Sequence, residues 1–396
     1  MWMTACFIFS PPLHLSLFLH IIGSLVAGGL PPIYTLVDFI TVNCGYSGNL
    51  FNKSDNRNWT GDIDSEFSPL ERLGANSTSL VREAPPSSTV IQVPYATVRI
   101  SRSEFTYIFP VTSGQKLIRL HFYPVSYADF DRSEALFSVK AGGYTLLKDF
   151  NVSAIADASR VEMPYKEFCV NIGEEKSLNI TFASSRASPD SYVFINGIEI
   201  VSIPTNLYYS PAQSHWIEYI GGQINYTIEN STALEMVHRI NIGGSPLSSN
   251  QDTGMYRNWD ADDDVYLDDL SSRFSVIPSN TRIQLKFFSI PNYTAPSEVY
   301  QSGRSMGTNK TINKSYNLTW DFPVDSKFHY LVRLHFCEFQ NQITSSGDRT
   351  FQIYIANQSA DQDADIIQWS GGNGDTSLQR TTLCLCLTPP ELEARK

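Results

Sequence analysis

The chain has 396 residues, 42% of them hydrophobic, which is enough for two or three ordinary domains and excludes general disorder. Its 29 Lys and Arg against 40 Asp and Glu leave a formal charge of −11, which excludes the clustered basic surface that neutralises nucleic-acid phosphates. With 17% charged and 12% aromatic residues, the composition favours strands and polar loops over charged amphipathic helices.

From the N-terminus, Leu13–Val26 is apolar and gives way to the small residues Ala27, Gly28 and Gly29. Such a run matches the core of a cleaved signal peptide, residues 1–28, rather than a membrane crossing, which needs about 20 apolar residues. No second apolar run of spanning length follows. Twelve Asn-x-Ser/Thr sequons are present, at Asn52, Asn58, Asn76, Asn151, Asn179, Asn225, Asn230, Asn292, Asn309, Asn313, Asn317 and Asn357. Chance alone would give roughly four, so the set argues for a glycan-bearing surface made in the secretory pathway and displayed outside the cell. Of the six cysteines, Cys44 and Cys169 fall in strand-like segments, and an oxidising compartment would let them pair; two buried free thiols are the alternative. Cys337 reads as a small core residue, and Cys384 and Cys386 share a strand face without the geometry to bridge each other.

The most informative feature is a long-period internal repeat. Arg57-Asn58-Trp59-Thr60-Gly61-Asp62 recurs as Arg257-Asn258-Trp259-Asp260-Ala261-Asp262, an offset of 200. Arg119-Leu120-His121-Phe122 recurs letter for letter as Arg333-Leu334-His335-Phe336, an offset of 214, as loop insertions would produce. Phe39–Gly45, Phe109-Pro110-Val111 and Phe137-Ser138-Val139 have counterparts in the same order at 238–244, Phe322-Pro323-Val324 and Phe351-Gln352-Ile353. The spacing is too long for a solenoid and predicts two tandem domains.

Within each unit the period is that of strands. Lys116–Tyr123 and Tyr330–Phe336 alternate apolar with polar residues, so one face is expected to be buried. Ala135–Val139, Tyr144–Phe150, Ser177–Ala183 and Tyr192–Val201 continue the pattern, and Ala141-Gly142-Gly143-Tyr144 predicts a hairpin turn. The chain is therefore expected to be all-β, with two antiparallel sandwiches over 34–204 and 234–374 joined by a linker at 205–233. The second unit has no counterpart of Ser191–Pro204, so its sandwich is expected to be incomplete at the C-terminal end, and residues 375–396 follow neither the repeat nor the earlier composition. A missing closing strand would expose backbone edges and apolar surface, making this the less stable unit unless Thr381–Leu387 substitutes.

The segment Tyr34–Gly45, together with Arg57–Asp62, Ile118–Pro124, Phe194–Ile200, Arg257–Asp264 and Leu331–Glu338, resembles plant malectin-like ectodomains. As a whole, 34–374 is similar to the tandem ectodomain of receptor-like kinases of the FERONIA/THESEUS type. That resemblance implies two packed β-sandwiches outside the cell, in relatives that are single-pass plasma-membrane proteins. It implies binding of a secreted basic peptide of the rapid alkalinisation factor type, or of cell-wall polysaccharide, beside a glycolipid-anchored co-receptor. No kinase phosphate loop, HRD or DFG motif is present, so intracellular signalling is not expected of this sequence.

In the acidic run from Asp260 to Asp269, a calcium loop beginning at Asp260 would need Gly and Glu where Val265 and Ser271 stand, so a solvated loop is favoured and no metal or cofactor is expected. Asp62, Asp64 and Glu66 lack anything to desolvate one acid for glycoside hydrolysis, and no G-x-S-x-G elbow occurs, so no catalytic residues are expected. His121 and His335, repeated in Arg-Leu-His-Phe, read as structural. For ligand binding, Trp59 and Trp259 could stack on a sugar while Asp62 and Asp262 orient it, with Tyr95, Tyr123 and Tyr127 as further aromatic contacts. The alternative is that the tryptophans anchor loops onto the sandwich edge. The rival readings for the whole chain are an inactive truncation product and a secreted carbohydrate-active enzyme.

Overall fold

Strands dominate the chain from Phe39 onward in the computed structural model, and the turn residues set their order. The structure describes residues 33–71, 78–87, 91–211, 217–220, 225–263, 265–278, 283, 285–287, 290–371 and 378–385. The expected signal segment, Cys6, the sequon at Asn76, Asp264, Cys386 and the tail beyond Leu385 lie outside them, as do the side chains of Asn225 and of Leu378–Leu385, Cys384 included.

The first strand, β1 (Phe39–Ser47), reverses at Gly48 (φ +80°) into β2 (Asn49–Asn52), and a second reversal through Asn56 leads into β3 (Arg57–Ile63). Two reversals return the chain to its starting direction, so β3 pairs antiparallel with β2 but parallel with β1. The sheet is thus not purely antiparallel as expected. The same parallel contact recurs at the repeat positions: Asn43 faces Gly61, and Asn241 faces Ala261.

Next come β4 (Thr97–Ser101), β5 (Phe105–Pro110) and β6 (Gly114–His121), then β7 (Phe137–Ala141) and β8 (Tyr144–Phe150), joined by the expected hairpin at Gly142. A short helix, α1 (Val152–Ser159), is capped by Asn151 and ends at Arg160 in the left-handed region. The remaining strands of this segment are β9 (Tyr165–Ile172), β10 (Ser177–Ser184), β11 (Val193–Ile195) and β12 (Gly197–Ser202). Tyr192–Val201, expected as one strand, is split at Asn196. Its Oδ1 accepts from the Tyr123 amide and its Nδ2 donates to the Thr97 carbonyl, where the chain crosses between sheets.

A seven-stranded sheet has the order β13-β9-β6-β12-β1-β3-β2, where β13 (Leu234–Met236) comes from beyond the expected linker. A five-stranded sheet (β8-β7-β10-β5 and Leu70–Glu71) faces it. Even-numbered residues of the first sheet, Val42, Cys44, Ile118, Leu120, Phe168, Val170, Ile198 and Ile200, meet Phe105, Tyr107, Phe109, Phe137, Val139, Ile180 and Phe182 of the second in the main core. Large buried aromatics of this kind contribute roughly 2–3 kcal/mol each. The odd-numbered face is buried as well, against residues 207–257. Leu117, Cys169 and Val201 join Ile203, Leu207, Tyr209, Ile228 and Met255 in a second apolar cluster. Charged side chains fill the rest of that face. The expectation of one buried face per strand therefore falls short, and the expected linker packs onto the sheet: Tyr209 Oη donates to the Cys169 and Thr232 carbonyls.

Cys44 and Cys169 are both buried free thiols, which corrects the expected disulfide. They lie on opposite faces of the sheet, with β6 and β12 between their strands, about 14 Å at ordinary strand spacing. Burial pushes the Cys169 thiol up to about 12 and the Cys44 thiol well above its ordinary range, so neither is nucleophilic.

In the second segment, β14 (His329–Phe336) is followed by the ribbon β15 (Phe351–Ile355) and β16 (Gln358–Ala364), the short helix α2 (Ile366–Trp369) and β17 (Leu378–Leu385). This order repeats β6, β7, β8, α1 and β9. The register repeats too: His121 faces Tyr165 of β9, and His335 faces Gln379 of β17. The tail, expected to be foreign to the repeat, thus supplies a strand through backbone bonds that need no sequence match. No counterpart of β12 occurs among the described residues. Correspondingly, β14 is half-exposed along most of its length, whereas nearly all of β6 is buried.

One glycine of each segment is demanded by the fold. Gly45 (φ +78°) and Gly243 (φ +67°) each donate a backbone N–H at 2.7 Å, to Asp62 and Asp262 respectively. A Cβ would lie 2.5 Å from the Val98 carbonyl oxygen at the first and 2.2 Å from that of Gly303 at the second. Gly45→Ala is expected to cost about 2 kcal/mol or more of unfolding free energy in a denaturant titration; unchanged stability would refute the packing.

Candidate functional site

The repeated motifs build the same constellation twice. In the first segment, the Arg57 guanidinium lies 5.5 Å from the Trp59 ring, and Trp59 meets the His121 ring edge-on at 5.6 Å. His121 Nδ1 is 2.9 Å from Tyr95 Oη. In the second, Arg257 lies 5.7 Å from Trp259, Trp259 meets His335 at 5.8 Å, and His335 Nδ1 is 2.9 Å from Tyr300 Oη. Asp62 pairs with Arg99 and accepts from Tyr107 Oη, while Asp262 pairs with Arg304 and accepts from Trp320 Nε1.

The electrostatic settings differ. His121 Nε2 is 2.7 Å from Glu199 Oε1; an ionised carboxylate only accepts, so Nε2 carries the proton. Glu199 also pairs with Arg57 and Arg119, Arg119 pairs with Glu167, and Glu167 pairs at 2.6 Å with Arg239 of the second segment. Burial acts to raise both carboxyls, but the arginines outweigh it. Glu167 is held at about 2 by Arg119 and Arg239, and Glu199 well below the carboxylate range by Arg57, Arg119 and His121. In the second constellation, burial pushes His335 down to about 3, with Arg333 and Arg257 adding to the effect. Trp59 Nε1 donates to Asp55, whereas Met255 stands at the matching position and Trp259 Nε1 has no hydrogen-bond partner among the described residues.

The residues expected to bind ligand, Trp59, Asp62, Tyr95, Tyr123, Tyr127, Trp259 and Asp262, are all buried. Two groups come together within the first segment. Trp59 and Tyr95 both pack on His121, while Tyr127 Oη donates to the Tyr123 carbonyl and accepts from Asn196 Nδ2. As placed, Asp62 and Asp262 each brace a glycine amide and an arginine, and the tryptophans lie inside against His121 and His335. Tyr123 alone of the seven lines an open cleft of about 520 Å³, with Ser126, Arg132, Asp157, Arg160, Val161 and Glu162. Arg132 reaches Asp157 at 2.8 Å across its rim. A second cleft of about 420 Å³ is lined by Glu218, Asp361 and Gln362. Apart from Tyr123, sequence reasoning missed their linings, which draw on loops, α1 and β16 with no shared motif to mark them.

Of the sequons, Asn58, Asn179, Asn230, Asn292, Asn309, Asn317 and Asn357 are exposed, and Asn151 and Asn313 are half-buried. Asn52 is buried, its Nδ2 donating to the Val93 carbonyl. Among the described residues no helix is long and apolar enough to cross a membrane, and no His/Cys/Asp/Glu cluster suits a metal.

Comparison with known proteins accords with this architecture. The receptor-like protein kinase FERONIA of Arabidopsis thaliana is 42% identical over 344 residues, 86% of this chain and 37% of that protein. The chain therefore spans well under half of that relative. A crystal structure of the plant peptide RALF23 in complex with FER and LLG2 matches with a TM-score of 0.77 at 40% identity, covering 90% of this chain and 88% of that one. The extracellular domain of ANXUR1 from Arabidopsis thaliana matches with a TM-score of 0.78 at 29% identity, covering 88% of each chain. The model of the malectin-like domain runs over residues 42–386, taking in both constellations and the strand from the tail. With nearly all of its described strands inside that match, the chain belongs to the malectin-like family.

Proposed function

We propose that this chain is a non-catalytic extracellular recognition module that binds a secreted basic peptide of the rapid alkalinisation factor type, beside a glycolipid-anchored co-receptor. Its two malectin-like units would span 34–204 and 234–374, carry N-glycans at the exposed sequons and reach the cell surface through the secretory pathway. The observation that carries the reading is the similarity, over 90% of the chain, to an ectodomain bound to RALF23 and LLG2. The net charge of −11 favours a basic ligand and speeds its association. The non-catalytic reading is supported by the pairing of Glu167, Glu199, Asp62 and Asp262 with arginines, which commits them to structure. Isothermal titration of the intact chain with a rapid alkalinisation peptide should give saturable heat that weakens as salt is raised. Parallel titration with oligogalacturonides tests the cell-wall polysaccharide alternative, and no heat with either would overturn recognition.

A further inference from the structure

The hairpin that carries the first Arg-Asn-Trp motif sets a sequon beside an exposed aromatic ring. Phe51 of β2 lies directly opposite Asn58 of β3 in the antiparallel register, so both side chains leave the same face of the sheet. Phe51 is 49% exposed. Asn58 is exposed too, and its side chain makes no hydrogen bond among the described residues. We propose that the first N-acetylglucosamine of a glycan on Asn58 stacks on the Phe51 ring and fastens the β2–β3 hairpin. The contact presupposes the secretory route proposed for the chain and gives one of its glycans a structural role.

Geometry and chemistry both favour the stack. Cβ atoms directly opposite each other in an antiparallel pair lie about 4.5–5.5 Å apart, within reach of a sugar joined to Asn Nδ2. A pyranose presents C–H groups on one face, and these partly positive hydrogens suit the negative face of an aromatic ring. Stacking also removes apolar surface of Phe51 from water without requiring a protein partner. Arg57 and Trp59, which flank Asn58, turn to the opposite face and are buried, so the strand fixes the direction in which Asn58 points.

The repeat supplies an internal comparison. Leu50 faces Trp59 in the first segment and Leu247 faces Trp259 in the second, so Ser248 stands where Phe51 does and Asn258 where Asn58 does. In that copy Asp260 replaces Thr60 and abolishes the sequon. The copy without a glycan acceptor thus also lacks the exposed ring, whereas the buried Arg257 and Trp259 are kept.

The test compares the intact chain, secreted from a glycosylating host, with Asn58→Gln, Phe51→Ala and the double variant. Peptide mapping should find Asn58 occupied. Loss of its glycan should lower the Tm by about 2 °C when Phe51 is present and leave it unchanged in the Phe51→Ala background. Trimming every glycan to its first sugar should preserve the difference, because only that sugar meets the ring. In NMR of the trimmed chain, the sugar protons at Asn58 should be shifted upfield by the ring current, and Phe51→Ala should abolish the shift. Equal Tm losses in the two backgrounds, or unshifted sugar protons, would overturn the proposal. A bare Asn58 beside occupied Asn179 and Asn317 would overturn it and leave the secretory reading standing; bare sequons throughout would overturn both.

Discussion

Glu199→Gln is expected to lower the unfolding free energy by about 3 kcal/mol, because it removes the carboxylate that the buried Arg57 and Arg119 share and leaves one acid each, Asp55 and Glu167. The loss should exceed that of removing an exposed pair such as Arg132–Asp157, worth about 0–1 kcal/mol. Glu199 faces residues of the second segment through Arg119, whose Nη2 donates to the Met255 carbonyl at 3.1 Å. Both segments should therefore melt together at a lower temperature in scanning calorimetry. A separate transition for the first segment, with the second unaffected, would contradict a shared face.

The second large effect is acid lability centred on His335. Its folded pKa of about 3 lies below the ordinary 6.5, so between those values the unfolded chain binds a proton that the folded chain refuses. The stabilisation is complete above pH 6.5 and drains away as pH falls toward 3. From pH 6.5 to pH 5 the loss is about 1–2 kcal/mol for this half-buried ring. Glu167, also depressed, adds a further loss only between 4.5 and about 2. Urea midpoints measured from pH 7 to 5 should fall for the wild type and stay flatter for His335→Asn. Parallel slopes for the two would place the acid sensitivity elsewhere.

Much of the architecture was legible in the letters. Arg-Asn-Trp and Arg-Leu-His-Phe, each written twice, marked the two copies of one constellation, and alternation marked the strands that carry them. What escaped was the second buried face of the sheet. Arg119, Glu167 and Glu199 look like solvent-facing residues in an alternating strand, because a charge covered by a distant segment leaves the same local pattern as a charge in water. For the same reason Trp59 and Tyr95 looked available to a sugar, although their rings are spent on His121. Thr381–Leu387 was legible as a possible strand but not its place, which is that of β9 and not of the closing strand, since sheet pairing uses backbone groups; the two thiols looked pairable because their separation across the sheet depends on strand order, which spacing does not encode.

The ionic run from Arg57 through Glu199, Arg119 and Glu167 to Arg239 has a mechanical consequence. Its last link, Glu167 to Arg239, is the ion pair of this run that joins the two halves, so hinge bending between them would part a buried Arg239 from its carboxylate and is opposed. A ligand touching either half meets a stiff body, and any tug on one end is passed on undamped instead of being absorbed by a flexing joint.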